Sequence, residues 1–165
     1  MKVFLKWAAF ALLLYVLQVS LLPLLAFHGA SADFLLLFAV SFGFTRGMRL
    51  GVLAGFLVGL MQDLLSGSFF GMNTLVKMIA GLIAGMLSDR VFKEQAFLPI
   101  VSSVVAAVAN YFLLALIMAL LGYRFNLLAN AEYILLPLIL YQLVFSYPVH
   151  VLTRRMNEWT RTEKN

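Results

Sequence analysis

The chain has 165 residues, of which 64% are hydrophobic and 12% are charged, and its formal net charge is +5. Soluble globular domains carry about 25% charged residues, so this composition excludes a soluble enzyme and indicates one integral membrane domain. The chain contains no cysteine, which excludes disulfides, thiolate metal ligands and thiol nucleophiles.

Uncharged runs predict where the chain crosses the membrane. Three runs are as long as the roughly 20 residues that a helix needs to cross the hydrocarbon. They are 7–32, 95–123 and 133–153. Between the first two, Arg46, Asp63 and Lys77 divide the chain into shorter runs, which predict three shorter crossings with these charges at helix ends or in the protein interior. In chain order we predict helices at about 7–27, 33–45, 50–65, 73–88, 96–121 and 133–152, followed by a basic cytoplasmic tail at 154–165.

The basic residues favour six crossings over five. The second predicted helix is short, so it crosses, is re-entrant, or extends back toward His28. Six crossings with an internal N-terminus place ten of the twelve basic residues in cytoplasmic segments, with Arg124 outside and Lys77 within the membrane. With five crossings, the basic clusters around Arg90 and Arg154 would be exported. We therefore predict an all-α bundle of six transmembrane helices with both termini cytoplasmic.

The basic surplus has an explanation in this topology. The basic residues form pairs at predicted helix ends rather than a stripe on one folded surface. Such pairs indicate membrane orientation and contact with the lipid bilayer. The pattern therefore does not predict a nucleic-acid partner.

Small residues recur along the predicted third and fourth helices. Gly51, Gly55 and Gly59 are four residues apart and form one smooth stripe, and Gly81 and Gly85 do the same on the next helix. Close backbone approach at small residues is a main source of packing energy between membrane helices. Two interpretations stay open: the stripe packs the protein's own helices, or it receives a helix from a partner.

Four further residues mark predicted helix boundaries. Gly67 and Gly71 supply turn chemistry between the third and fourth helices. Asp33 opens the second predicted helix and Arg46 closes it. We expect these two charges near helix ends, because a charge in the hydrocarbon is costly.

Two charges remain inside the predicted membrane segments. Asp63 and Lys77 lie equally far from the centre of the predicted turn, so antiparallel helices place them at similar depth. An unpaired charge at this depth is expensive, whereas an opposite-charge pair facing the bundle interior is tolerated. We predict that Asp63 and Lys77 form an intramembrane polar pair, or share a polar cluster with Gln62 and Asn73. A structural clamp is the favoured role, and binding of a ligand or proton is the alternative.

The sequence offers no catalytic constellation. An intramembrane hydrolase needs a nucleophile with a base, paired carboxylates or a metal cluster. No second deep carboxylate accompanies Asp63, and His28 and His150 fall on opposite sides of the membrane in the predicted topology. We therefore predict a non-catalytic protein with no cofactor and no metal site.

A pattern in the middle third of the chain resembles a known family. It comprises Arg46-Gly47, Gly51, Gly55-Phe56, Gly59-Leu60, Asp63, Ser66-Gly67 and Gly71. This pattern resembles that of the MreD family, the rod-shape-determining membrane protein D. Length, six-helix hydropathy and the acidic Asp33 are similar too, although family members often have Pro-Asp where this chain has Ala32-Asp33.

The resemblance implies a function and partners. It implies a non-catalytic scaffold of the cell-elongation machinery in the bacterial inner membrane, which helps control lateral peptidoglycan synthesis and rod cell shape. MreC, a bitopic periplasmic protein, is the implied direct partner, and MreB, RodA and a class B penicillin-binding protein complete the implied complex. Our own hypothesis is that the glycine stripe contacts MreC.

A second function class remains as an alternative. MreD-like proteins are similar in size and helix number to the S-component, or substrate-binding subunit, of energy-coupling-factor vitamin transporters. In such a fold, buried Asp63 and Lys77 would help enclose a small polar ligand. Those subunits typically carry an Ala-x-x-x-Ala face on the first helix, whereas here Ala8, Ala9 and Ala11 are each followed four residues later by a large residue. The missing face favours the scaffold.

Overall fold

The computed structural model describes residues 2–25, 32–67, 70–88, 97–120, 122 and 134–162. These residues form helices and turns, with no strand among them. A helical turn at Leu22–Leu25 follows the first of six longer helices. The six are α1 (Lys2–Ser20), α2 (Phe34–Arg46), α3 (Met48–Ser66), α4 (Met72–Ser88), α5 (Phe97–Leu120) and α6 (Leu136–Thr162).

Helix α6 is longer than the sequence predicts. It continues to Thr162, through most of the segment that we assigned to a tail beginning at residue 154. Residues 153–162 contain no glycine or proline to end the helix. Arg154 and Glu158 also form a salt bridge of 3.1 Å one turn apart, which supports the helical form. By contrast, the bounds of α2 to α5 agree with the predicted ones to within two residues.

Within the described residues, three helices are long and apolar enough to cross a membrane. The spans are Val3–Ser20 in α1, Met48–Ser66 in α3 and Leu136–Thr160 in α6. The apolar helical segments Phe34–Arg46, Met72–Ser88 and Ile100–Phe112 are shorter. The chain is therefore an all-helical protein with the apolar helices of a membrane protein, and six crossings remain a prediction.

Helix α2 lies at the centre of the described bundle. Every other helix packs against it, and Leu35, Leu36, Leu37, Ala39 and Val40 are fully buried. A helix that is apolar on all sides is stable where protein surrounds it. The short second segment is thus a core helix of 13 residues, which rises about 20 Å.

The two ends of the bundle differ in charge. Lys6 contacts Trp159 and Arg46 contacts Thr160, so the start of α1, the end of α2 and the end of α6 meet at one end. We call this the basic end, because it holds five of the six Lys and Arg side chains that the structure describes: Lys6, Arg46, Arg49, Arg154 and Arg155. The turn end is the opposite one, where α3 connects to α4.

Candidate functional site

Asp63 joins α3 to the first turn of α4. Its side chain is almost completely buried, and its carboxylate accepts hydrogen bonds from the backbone N–H groups of Gly71, Asn73 and Thr74 at 3.0, 3.1 and 3.0 Å. Asn73 Nδ2 and Thr74 Oγ1 donate two more, at 3.0 and 2.6 Å. The first N–H groups of a helix have no partner within it, and the positive end of the helix dipole lies there. Asp63 therefore acts as a cap for α4, supplied from the neighbouring helix.

Lys77 joins α4 to the start of α2. The residue is fully buried, and its Nζ donates to Asp33 Oδ2 at 2.7 Å and to Asn73 Oδ1 at 3.3 Å. The predicted direct pair of Asp63 with Lys77 is thus wrong, because the carboxylate of Asp63 is engaged by the N-terminus of α4 while the ammonium group points to α2. The two charges instead share Asn73, whose amide nitrogen donates to Asp63 and whose oxygen accepts from Lys77.

Gln62 does not join this cluster. Its Oε1 is buried and has no hydrogen-bond partner among the residues that the structure describes. Of the two residues predicted to accompany the charges, only Asn73 does so.

Asp33 organises the first turn of α2. Its Oδ1 accepts from the N–H of Leu36 at 2.9 Å while its Oδ2 binds Lys77, so one carboxylate caps a helix and forms an ion pair. Two glutamines serve the same turn: Gln142 Oε1 accepts from the N–H of Asp33 and Gln18 Oε1 from that of Leu35, both at 3.3 Å. Side chains of α1, α4 and α6 therefore meet at the start of α2.

This polar network, defined as Asp33, Asp63, Asn73, Thr74, Lys77 and Gln142, is suited to holding helices together. Its carboxylates bind backbone amides and one ammonium group of the same chain. No group of three or more His, Cys, Asp or Glu side chains within the described ranges is arranged to hold a metal ion. A buried ion pair adds little net stability, but loss of one partner leaves an uncompensated charge, which costs about 3–5 kcal/mol.

The glycine stripe is covered by the protein's own helix α4. A Cβ atom on Gly55 would overlap the carbonyl oxygen of Lys77, and one on Gly59 would overlap Cα of Thr74. On Gly51 it would lie 2.5 Å from the carbonyl oxygen of Gly81. The hypothesis that the stripe receives MreC is therefore wrong, because α4 fills the space, and the helix-packing interpretation is correct.

The other predicted glycines divide into two groups. Gly81 packs on the backbone of Gly51, and Gly85 packs on that of Met48. Gly67 and Gly71 have φ angles of 62° and 92°, which favour glycine, and a Cβ there would meet nothing within 4 Å. They shape the turn and take no part in helix packing.

Arg46 is the last residue of α2, as predicted for a boundary charge. Its Nη2 donates to Thr160 Oγ1 at 3.2 Å, and its Cζ lies 5.9 Å from the centre of the Trp7 ring. Trp7 in turn packs edge-on against Phe42, with ring centres 4.7 Å apart. The arginine thereby joins α1, α2 and α6 at the basic end.

Sequence reasoning missed the inward polar face of α6. Six polar residues on this face are each at most 8% exposed: Gln142, Ser146, His150, Thr153, Asn157 and Thr160. Leu140, Val144 and Tyr147 lie exposed on the other side of the helix. The sequence does contain this pattern, because the six residues are three or four positions apart and such spacings place side chains on one helix face. The helix presents polar groups to the protein and apolar groups outward, as expected in lipid.

The described buried charges of this apolar helical bundle all bind groups on its own helices. This arrangement is typical of a structural membrane protein. The family model described as rod shape-determining protein MreD matches residues 1–156. The chain therefore belongs to the MreD family, and the resemblance seen in the middle third extends over nearly the whole chain. No curated protein and no solved structure matches it. Membership assigns the chain to rod-shape determination, in a family of shape-determining structural proteins.

Proposed function

We propose that this protein is a non-catalytic scaffold of the cell-elongation machinery, which crosses the bacterial inner membrane six times and binds MreC directly. MreB, RodA and a class B penicillin-binding protein complete the proposed complex. Family membership supports the role in rod shape. The observation that carries the scaffold is the polar network, in which the buried charges hold α2, α3 and α4 together.

A scaffold needs a fixed surface, and these helices present one. The network and the glycine contacts restrain α3 against α4, while both helices keep large apolar side chains on their outer faces. These exposed side chains are Leu53, Phe56, Leu57 and Leu64 on α3 and Leu75, Ile79, Ile83 and Met86 on α4. Such faces suit lipid and the transmembrane helices of partners.

The same contacts favour a scaffold over a vitamin-binding subunit. Lys77 is occupied by Asp33 and Asn73, and Asp63 by the start of α4. A groove of about 340 Å³ between α4 and α5 is lined by apolar side chains except for Ser102. Neither arrangement offers the convergent free polar groups that bind a polar small molecule.

Affinity purification of the tagged protein from gently solubilised membranes tests the proposal. We expect MreC to be recovered with the wild-type chain and with the control variant Ala9→Leu, which changes an exposed position of α1. Recovery of paired ATPases without MreC would contradict the scaffold and support the transporter subunit. Reconstitution of the two purified proteins then tests direct binding, and a failure to form a complex would show that any contact is indirect.

A further inference from the structure

The inward polar face of α6 carries more buried hydrogen-bonding atoms than its protein neighbours satisfy. Gln142, His150 and Asn157 are each at most 8% exposed. One atom of each, namely Gln142 Nε2, His150 Nδ1 and Asn157 Oδ1, is buried and has no hydrogen-bond partner among the described residues. A buried polar atom without a partner has lost its bonds to bulk water and gained none in return. Each of the three therefore calls for a ligand that the polypeptide itself does not supply.

The other polar groups of this face are bonded within the protein. Ser146 Oγ donates to a serine of α5 at 3.5 Å, and Gln142 Oε1 accepts from the start of α2 at 3.3 Å. Thr153 Oγ1 and Thr160 Oγ1 donate to backbone carbonyl groups one turn earlier on α6. The unpaired buried atoms of this face thus lie at three places, and the polar network uses only the oxygen of the Gln142 side chain.

The spacing and chemistry of the three atoms indicate which ligand fits them. Eight residues separate Gln142 from His150 and seven separate His150 from Asn157, so neighbouring positions lie about 10–12 Å apart along the helix. One small molecule cannot bond to all three over that length. Gln142 Nε2 is a donor, Asn157 Oδ1 is an acceptor, and the ring nitrogen of His150 serves as either. A cation suits only the acceptor and an anion only the donor, whereas water bonds to both kinds of atom.

We propose that the inward polar face of α6 binds water molecules at three separate places, one each at Gln142, His150 and Asn157. Buried waters bond to polar groups that otherwise lack partners, and they are part of the structure. The three places follow α6 from the start of α2, beside Gln142, toward the basic end. The helix is therefore hydrated on the side that faces α2 and α5, while its outer side is apolar. These sites do not depend on MreC or on the proposed function.

A crystal structure of the full chain, grown from a lipid phase and at a resolution that shows ordered water, tests the proposal. We expect a compact density peak at hydrogen-bond distance, about 2.7–3.2 Å, from each of the three atoms. A protein partner at one of these atoms, or the absence of a peak there, would overturn the proposal. An elongated peak would overturn it in favour of an organic ligand, and an anomalous signal would overturn it in favour of an ion.

Two variants test whether the sites are separate. Asn157→Leu keeps a side chain of similar shape but removes the amide, so the peak at this position should be lost while those at Gln142 and His150 remain. The matched control is Thr153→Val, which removes a hydroxyl group of the same face that already bonds to the carbonyl of Val149. We expect all three peaks to persist in this control. Loss of a peak in the control, or an unchanged peak in Asn157→Leu, would contradict three separate water sites.

Solid-state NMR of the protein in bilayers provides a second measurement that needs no crystal. The chain has two histidines, so His28→Gln leaves His150 as the only one. With isotope-labelled histidine, magnetisation should pass from water to the His150 ring well before it reaches the fully buried side chain of Leu36. The same early transfer is expected in Asn157→Leu, because the sites are separate. Transfer to His150 as slow as transfer to Leu36 would overturn the proposal.

Discussion

At the scale of single residues, the carboxylates of Asp33 and Asp63 accept hydrogen bonds from backbone N–H groups at helix starts, which have no partner within their own helix. Asp63 accepts from three backbone N–H groups at the start of α4, and Asp33 accepts from one at the start of α2. A backbone N–H group buried in the protein cannot bond to bulk water, so it needs a partner within the protein. The carboxylates are thus explained by the N–H groups of neighbouring helices, and the ion pair with Lys77 compensates one of the two charges.

The ion pair between Lys77 and Asp33 predicts that substitutions of its two residues have non-additive effects on the stability of the protein. Lys77→Met should destabilise the protein by about 3–5 kcal/mol, because it leaves the carboxylate of Asp33 without its counter-charge. Combining Lys77→Met with Asp33→Asn should recover a large part of this loss, as measured by thermal or denaturant unfolding in detergent.

A second double-mutant cycle, which combines Lys77→Met with Asp63→Asn, provides the comparison. Because Asp63 and Lys77 have no direct bond in the described structure, their double variant should show no recovery. The structure would be contradicted by the opposite result: strictly additive losses of stability for the Asp33 and Lys77 substitutions, with recovery of stability in the double variant of Asp63 and Lys77. That result would support the pairing predicted from sequence.

At the scale of helices, glycines set the distance between α3 and α4. Gly51, Gly55 and Gly59 bring the α3 backbone against that of α4, and Gly43 of α2 lies against Gly81 in the same way. Association in lipid has no hydrophobic drive between apolar surfaces, so this contact depends on close packing. Close packing in turn places Asp63 within reach of the first turn of α4.

Substitution at Gly55 tests this dependence. Gly55→Ala should destabilise the protein by about 1–3 kcal/mol, because the added methyl group overlaps the carbonyl of Lys77. Gly55→Leu should remove the folded protein altogether, seen as loss of the monodisperse peak and of membrane abundance. Ala9→Leu adds similar volume at an exposed position and should leave both unchanged. If the Gly55→Leu variant folded normally and lost only its co-purification with MreC, the glycine stripe would be a partner-binding surface after all.

At the scale of the whole molecule, both ends of the described chain meet at the basic end. The contact of Lys6 with Trp159 links α1 to α6, and α2 is held between them. The positive-inside rule predicts that such an end lies in the cytoplasm. We therefore expect the turn end, with Gly67 and Gly71, to face the periplasm.

Reporter fusions test this orientation. Alkaline phosphatase fused after Gly67 should be active, and the same enzyme fused after Thr162 should be inactive, because it folds only outside the cytoplasm. A fluorescent protein that requires the cytoplasm should give the reverse pattern at the two sites. Phosphatase activity after Thr162 would contradict cytoplasmic placement of the end of α6.

The sequence by itself determined the class of protein, the bounds of α2 to α5 and the family. Apolar runs and helix-breaking residues act locally, and the spacing of Gly51, Gly55 and Gly59 is visible in one segment. It also indicated that Asp63 and Lys77 need partners, because a charge within an apolar helical segment is costly unless it is paired.

Only the tertiary structure decided which partners those charges take. Distance along the chain suggested Asp63 for Lys77, whereas the fold brings Asp33, which is 44 residues away, to within 2.7 Å. The tertiary structure also decided that α4 covers the glycine stripe and that the polar face of α6 points inward. These outcomes depend on how the helices are arranged around α2. Helix periodicity in the sequence shows which residues share a face of a helix, but it does not show which other helix packs against that face.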